Sequence, residues 1–299
     1  MLKPFKGFWN KTHEWGSGDT IHDIILQPGI RLGRNMPSYT LNHIYGNAIL
    51  VGQIGSGMMS AMNTIALQAM TKYSPTQLRV LLLDTHGTEY SDYAGKFPHL
   101  DLVMASSRTE RHVEFLTHIQ SLIDARQEKI SPMSFVKARL NDILMPRVLV
   151  FITDYSDLTT DVTCHNMLLN LMERGSDYGV HFLLITQCLK HVDDKVLNLC
   201  PIRFANRCSR ELALEVVGTD APYYTPDTYG FLWATIDASN PEKYTTGMRT
   251  PFIPPERFSD DQHLATLIER GDVASGSKTC AYMLREKYGH FPGTVIIDK

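Results

Sequence analysis

The sequence predicts an α/β fold: a mostly parallel sheet with helices on both faces. Three observations predict it. Short, fully apolar runs alternate with longer segments whose apolar residues recur at helical spacing. The first apolar run ends in a glycine-rich turn that opens a helix. Later runs end in polar residues, at Asp84, at Asp154 and at Thr186-Gln187. Strands covered by helices on both sides read as continuous apolar runs, whereas a half-solvated strand would alternate.

Residues 1–35, rich in Gly, Pro, aromatic and charged residues, read as an N-terminal arm or linker with an edge strand in HDIILQ. Residues 36–255 read as the main domain. Ala48–Val51 is a short strand, and Met58–Met70 is a helix with apolar residues at 58, 59, 62, 65, 66, 69 and 70. YSPTQ at 73–77 is a turn, and Arg79–Leu83 is the second strand. Glu110–Glu128 is a helix with Val113, Leu116, Ile119, Leu122 and Ile123 on one face. Val148–Thr153 is the third strand, Cys164–Glu173 a helix, Val180–Ile185 the fourth strand and Ile202–Asn206 the fifth. Pro254-Pro255 ends the domain. Residues 256–299 read as a C-terminal linker segment, with short helices at His263–Arg270 and Cys280–Tyr288. In such sheets ligands sit outside the C-terminal strand ends, so Asp84, Asp154, Thr186 and Gln187 are expected along one edge, beside the glycine turn.

Composition removes several function classes. Lys+Arg is 29 and Asp+Glu is 32, a net charge of -3 that gives no support to nucleic-acid or membrane-surface binding. No apolar run approaches the roughly 20 residues that cross a bilayer, and the first residues lack the apolar centre of a signal peptide. The five cysteines form no C-x-x-C pair, which reads as reduced thiols in a cytosolic compartment. The histidines, among them His86, His99, His181 and His191, make no metal-ligand spacing, and HVDD at 191–194 reads as a solvated loop. No metal site is expected.

The turn VGQIGSGMMS carries Gly52, Gly55, Ser56 and Gly57, followed by Met58 and Met59. A phosphate loop has this shape but ends in Lys and Ser/Thr. Its glycines let backbone N–H groups wrap a phosphate at a helix N-terminus, its lysine reaches the β and γ phosphates, and its hydroxyl holds Mg²⁺. Met58 and Met59 occupy those last two positions, and Ser60 comes one residue too late. The methionines of MMSAM either floor an exposed docking pocket or pack down as core. VLVFITDY resembles the acidic strand of the same enzymes, with Asp154 kept and Tyr155 in place of the carboxylate that polarises water. Asp154 alternatively caps a strand-end turn, and Tyr155 reads as packing.

In order along the chain, NAILVGQIGSG, LRVLLLDTHGTEYSDYAGKFPHL, PRVLVFITDY, RGSDYGVHFLLITQ and CPIRFANRCS…VVGTDAPYYTP resemble the conserved blocks of FtsK/SpoIIIE-type motors. They are most similar to the ATPase modules of EccC/EssC-type coupling ATPases of type VII secretion. The resemblance covers roughly residues 25–240. It implies a RecA-like P-loop NTPase core, and it implies that Gly52, Gly55, Ser56, Gly57, Met58 and Met59 are the nucleotide-binding loop. It also implies that Gln187 is a sensor, beside Thr186, and that Arg174 is an arginine presented to a neighbouring subunit. Without the resemblance, Thr186 and Gln187 read as strand-end hydrogen bonding and Arg174 as a helix-end cation on the dipole. The resemblance also implies tandem arrays in which some modules are degenerate, and the three missing groups lead to the expectation that this chain is one of those.

The expectation is therefore a non-hydrolysing module that serves as a structural or regulatory part of a secretion motor. It would be cytoplasmic, held at a membrane only through a larger assembly. Its partners would be neighbouring modules and secreted substrate proteins. ATP binding is expected to be weak or absent, and Mg²⁺ is not expected. Two alternatives stand beside it: a module that holds ATP as a structural ligand, and an active DNA translocase. The translocase would need a substitute cation such as Lys96 or Lys190.

Overall fold

In a computed structural model, the described residues are 16–29, 37–86, 97–188, 194–226, 230–250 and 294–297. The helices expected at 263–270 and 280–288, the Pro254-Pro255 boundary, His191, Lys96 and Lys190 lie outside them. The chain runs through β1 (Ile24–Leu26), β2 (Tyr39–Leu41), β3 (Ala48–Val51), α1 (Met58–Lys72), β4 (Leu78–Asp84) and β5 (Leu100–Ala105). It continues with α2 (Thr109–Ile130), α3 (Phe135–Leu140), β6 (Arg147–Thr153), α4 (Val162–Gly175), β7 (Val180–Thr186), α5 (Asp194–Leu199), β8 (Ile202–Ala205) and α6 (Arg210–Val217). It ends with β9 (Phe231–Thr235), α7 (Pro241–Tyr244), β10 (Thr246–Arg249) and β11 (Thr294–Ile297).

The main sheet has the order β10-β9-β8-β3-β7-β6-β4-β5-β11. Every pairing from β8 to β11 is parallel, and β9 and β10 add an antiparallel edge. The glycine-loop strand β3 thus lies between β7 and β8, and Asp154 follows β6, one strand further on. Strand residues alternate between two cores, as a period of two requires. Ala48 and Leu50 face α1, whereas Ile49 and Val51 face the side of α2, α4, α5 and α6.

Several strands differ from the sequence reading. HDIILQ does supply a strand, but β1 pairs with β2 in a small separate sheet packed on α1 and not at an edge of the main one. β5 was not anticipated, because Asp101 breaks its apolar run; that carboxylate is ion-paired to Arg79 on the neighbouring strand. β9 and β10 have no counterpart in the sequence reading, and about half of their residues are buried. Within the segment read as linker, Thr294–Ile297 joins the main sheet against Leu102–Ala105.

Candidate functional site

Six residues, 52–57, turn the chain from β3 into α1. Gly55 and Gly57 sit at φ of 78° and 90°, left-handed conformations that a side chain strains. Gly52 is needed for a different reason. A Cβ there would stand 2.6 Å from Ser56 Oγ and 3.0 Å from Asn206 Cβ. The loop is pinned from below: Gly52 N donates to Thr186 O at 3.4 Å, Gln53 N to Arg207 O at 2.9 Å and Ser56 N to Gln53 O at 3.1 Å. No side chain caps α1. Its first N–H groups therefore have no partner within the helix, and they add to the positive end of its dipole.

The two methionines do not stand at the mouth of this loop. Met58 is 5% exposed and belongs to the core between α1 and the sheet, and Met59 is half-buried against the same core. Ile54, at the tip, is 82% exposed. Under the loop, Ser56 Oγ and Asn206 Oδ1 are buried without hydrogen-bond partners, while Asn206 Nδ2 donates to Phe231 O at 2.7 Å.

The acidic edge gathers as the strand ends predict. Asp84 is buried, accepting from His86 N at 3.2 Å and from Thr153 Oγ1 at 3.4 Å. Asp154 has a φ of 45°, a left-handed conformation that Asp tolerates better than most residues, and opens a 3-10 turn at Tyr155–Thr160. Gln187 Nε2 donates to Asp154 Oδ1 at 3.2 Å, and His86 Nδ1 lies 3.6 Å from Asp154 Oδ2 and 3.1 Å from Asp157 Oδ2. Burial pushes the Asp154 carboxyl above the usual carboxylate range. His86 opposes that shift, and Asp157 and Asp84 add to it. Thr186 bonds locally, its Oγ1 donating to Cys188 O at 2.9 Å.

The remaining candidates stand apart from the loop. Tyr155 is fully buried in the core on the α4 side, its hydroxyl 3.5 Å from His165 Nδ1. Arg174 ends α4, at the opposite end of the sheet from the glycine loop, where it donates to Asp124 Oδ1 and Gln127 Oε1 on α2, both at 2.9 Å. Sequence reasoning missed His86 and Asp157, which share the edge with Asp154 and line a cavity of about 310 Å³ together with Thr85, His112, Asp161 and Cys164. The available signal was position alone, since both follow a strand end within a few residues. Among the described residues, no three or more His, Cys, Asp or Glu are placed to hold a metal ion.

The FtsK/SpoIIIE family profile matches residues 8–187, more than half of the chain. The chain belongs to the FtsK/SpoIIIE family. It is 25% identical over 203 residues to the ESX-4 secretion system protein EccC4 of Mycobacterium tuberculosis, a match covering 62% of this chain and 16% of that protein. This family member therefore spans a small part of its curated relative. Among solved structures, the cytoplasmic domain of the Thermomonospora curvata type VII secretion ATPase EccC superposes with a TM-score of 0.73 at 16% identity, covering 95% of this chain and 33% of that one. EssC ATPases 2 and 3 from Geobacillus thermodenitrificans give 0.70 at 16% identity, covering 99% and 54%. At such identities the likeness establishes the fold. It matches the RecA-like P-loop core expected from the sequence. No helix among the described residues is long and apolar enough to cross a membrane.

Proposed function

We propose that this family member is a non-hydrolysing module of a type VII secretion-type motor, acting through its surfaces on neighbouring modules and on secreted proteins. One observation carries the reading. The positions that should bear a cation, a metal-binding hydroxyl and a water-polarising carboxylate hold Met58, Met59 and Tyr155, and none of the three side chains is free to serve at the loop: Met58 and Tyr155 are buried and Met59 packs against the core. Position 58 offers a Mg²⁺–nucleotide no ammonium and position 59 no hydroxyl, and Asp154 is already engaged by Gln187 and His86. Phosphoryl transfer depends almost wholly on such positioned charge, so losing these groups together removes orders of magnitude in rate.

Secretion is supported by the relatives. EccC4 is named as a secretion system protein, and a Thermomonospora curvata EccC fragment was solved with a signal sequence peptide (TM-score 0.63). By that likeness the module works in the cytoplasm, in a larger assembly at the membrane. The intact glycine skeleton, with its open helix N-terminus, favours a second reading in which ATP is held weakly as a structural ligand. Calorimetric titration with ATP, with and without Mg²⁺, separates the two. Heat that saturates equally in both conditions, without phosphate release, supports the structural ligand, and no heat supports the empty module.

A further inference from the structure

The N-terminal arm is fastened to the helix that carries the glycine loop. Gly16 N donates to Thr71 O at 2.8 Å and Gly18 N to Lys72 O at 3.0 Å. Ile25 N donates to the Tyr73 hydroxyl at 2.8 Å. Gln27 and Gln68 exchange two bonds, from Gln27 N to Gln68 Oε1 at 3.1 Å and from Gln68 Nε2 to Gln27 Oε1 at 3.2 Å. Ile24 and Leu26 are fully buried in the core they share with α1. A surface helix would be apolar on one stripe only, yet α1 buries Asn63, Thr64 and Gln68 as well as its apolar residues, because the arm and the sheet cover it from two sides.

The start of the arm is held at a second place, on β6. Arg147 Nε donates to Thr20 O at 2.6 Å, and its Nη2 donates to Ile21 O at 3.0 Å and His22 O at 2.8 Å. Its Nη1 donates to His181 Nε2 at 2.8 Å, and His181 Nδ1–H donates to Gly46 O at 2.8 Å. Burial holds His181 neutral, its pKa pushed down to about 3, which fits one donating and one accepting nitrogen. Arg147 is 1% exposed, and among the described residues no carboxylate is hydrogen-bonded to it. A buried charge needs its hydrogen-bonding partners. With the arm gone, three backbone carbonyls are lost at once, leaving His181 and the face of the Phe135 ring, 4.7 Å from the guanidinium. The arm is therefore fastened as a unit and resists coming off residue by residue.

We propose that residues 16–27 form a clasp, locked by Arg147 and His181, whose release loosens α1 and with it the glycine loop at the other end of that helix. Displacement of the chain upstream of Gly16 would then be felt at residues 52–60 without any change at the loop itself.

Amide hydrogen exchange on the full chain tests this, comparing Arg147→Met, Tyr73→Phe and Gln68→Leu with wild type. The clasp predicts exchange at least tenfold faster in Arg147→Met at both 20–27 and 56–61, with β4 and β7 unchanged. The two milder variants should raise both segments together by a smaller factor. Faster exchange in the arm alone overturns the coupling, as does a uniform rise across the sheet in the milder variants. If Arg147→Met does not fold, Tyr73→Phe and Gln68→Leu decide by the same comparison, since the first removes one hydrogen bond to the arm, the second removes two, and neither removes a buried charge.

Discussion

Met58 and Met59 are two consecutive methionines with one side chain buried and the next half-buried, at the point where a phosphate loop keeps its cation and its hydroxyl. Restoring Met58→Lys together with Met59→Ser should tighten ATP binding. A lysine stem can follow the path of Met58 while its ammonium reaches the loop. Each restored charge-assisted contact is worth roughly 1.5–3 kcal/mol, so calorimetry should find binding at least tenfold tighter. Unchanged affinity would mean that this loop does not cradle a phosphate. The same burial separates core packing from docking at these positions. Met58→Glu should cost several kcal/mol, roughly 3 or more, as an unpaired buried charge, whereas Met59→Glu should cost less. Paired thermal melts measure the difference, and equal losses would contradict the placement. The glycines, Asp154 and Gln187 were legible in sequence because they end apolar strands. His86 and Asp157 were not, because only the turn geometry after β4 and β6 brings them to Asp154.

At the scale of elements, the parallel core was legible wherever a strand is buried on both faces, as in β3, β4, β6 and β7. Legibility failed where pairing and not burial makes the strand. β5 contains an aspartate satisfied by Arg79 across the ladder, and β11 is a four-residue strand that reads as tail until its partner is known. β11 has a consequence for β5. Val103, Met104 and Ala105 are almost fully buried, and without β11 they would lie on an open edge. Long apolar edges invite pairing between chains. Deleting residues 294–299 should therefore raise concentration-dependent light scattering near room temperature, with the far-ultraviolet circular dichroism nearly unchanged. A truncated chain that stays monomeric would show that β11 does not protect this edge.

For the whole molecule, buried imidazoles set a pH dependence. Burial pushes His181 down from its ordinary 6.5 to about 3 and His99 down to about 4. Both fold neutral and are protonated in the unfolded chain below about pH 6.5, so the unfolded state binds more protons. Stability from these two groups is complete above that pH and is lost as pH falls toward 4, by about 2–3 kcal/mol per pH unit near pH 5. Denaturant unfolding at pH 7, 6 and 5 should show the loss, and His181→Gln should lessen its slope; a flat profile would contradict the neutral buried pair.

The central claim is that a phosphate-loop fold has here lost its phosphoryl-transfer chemistry, and phosphate release tests it most directly. The full chain, incubated with ATP and Mg²⁺ beside its Asp154→Asn variant, should release phosphate no faster than the buffer blank, with no difference between the two proteins. Metal-dependent turnover on the order of 1 s⁻¹, abolished by Asp154→Asn, would contradict it.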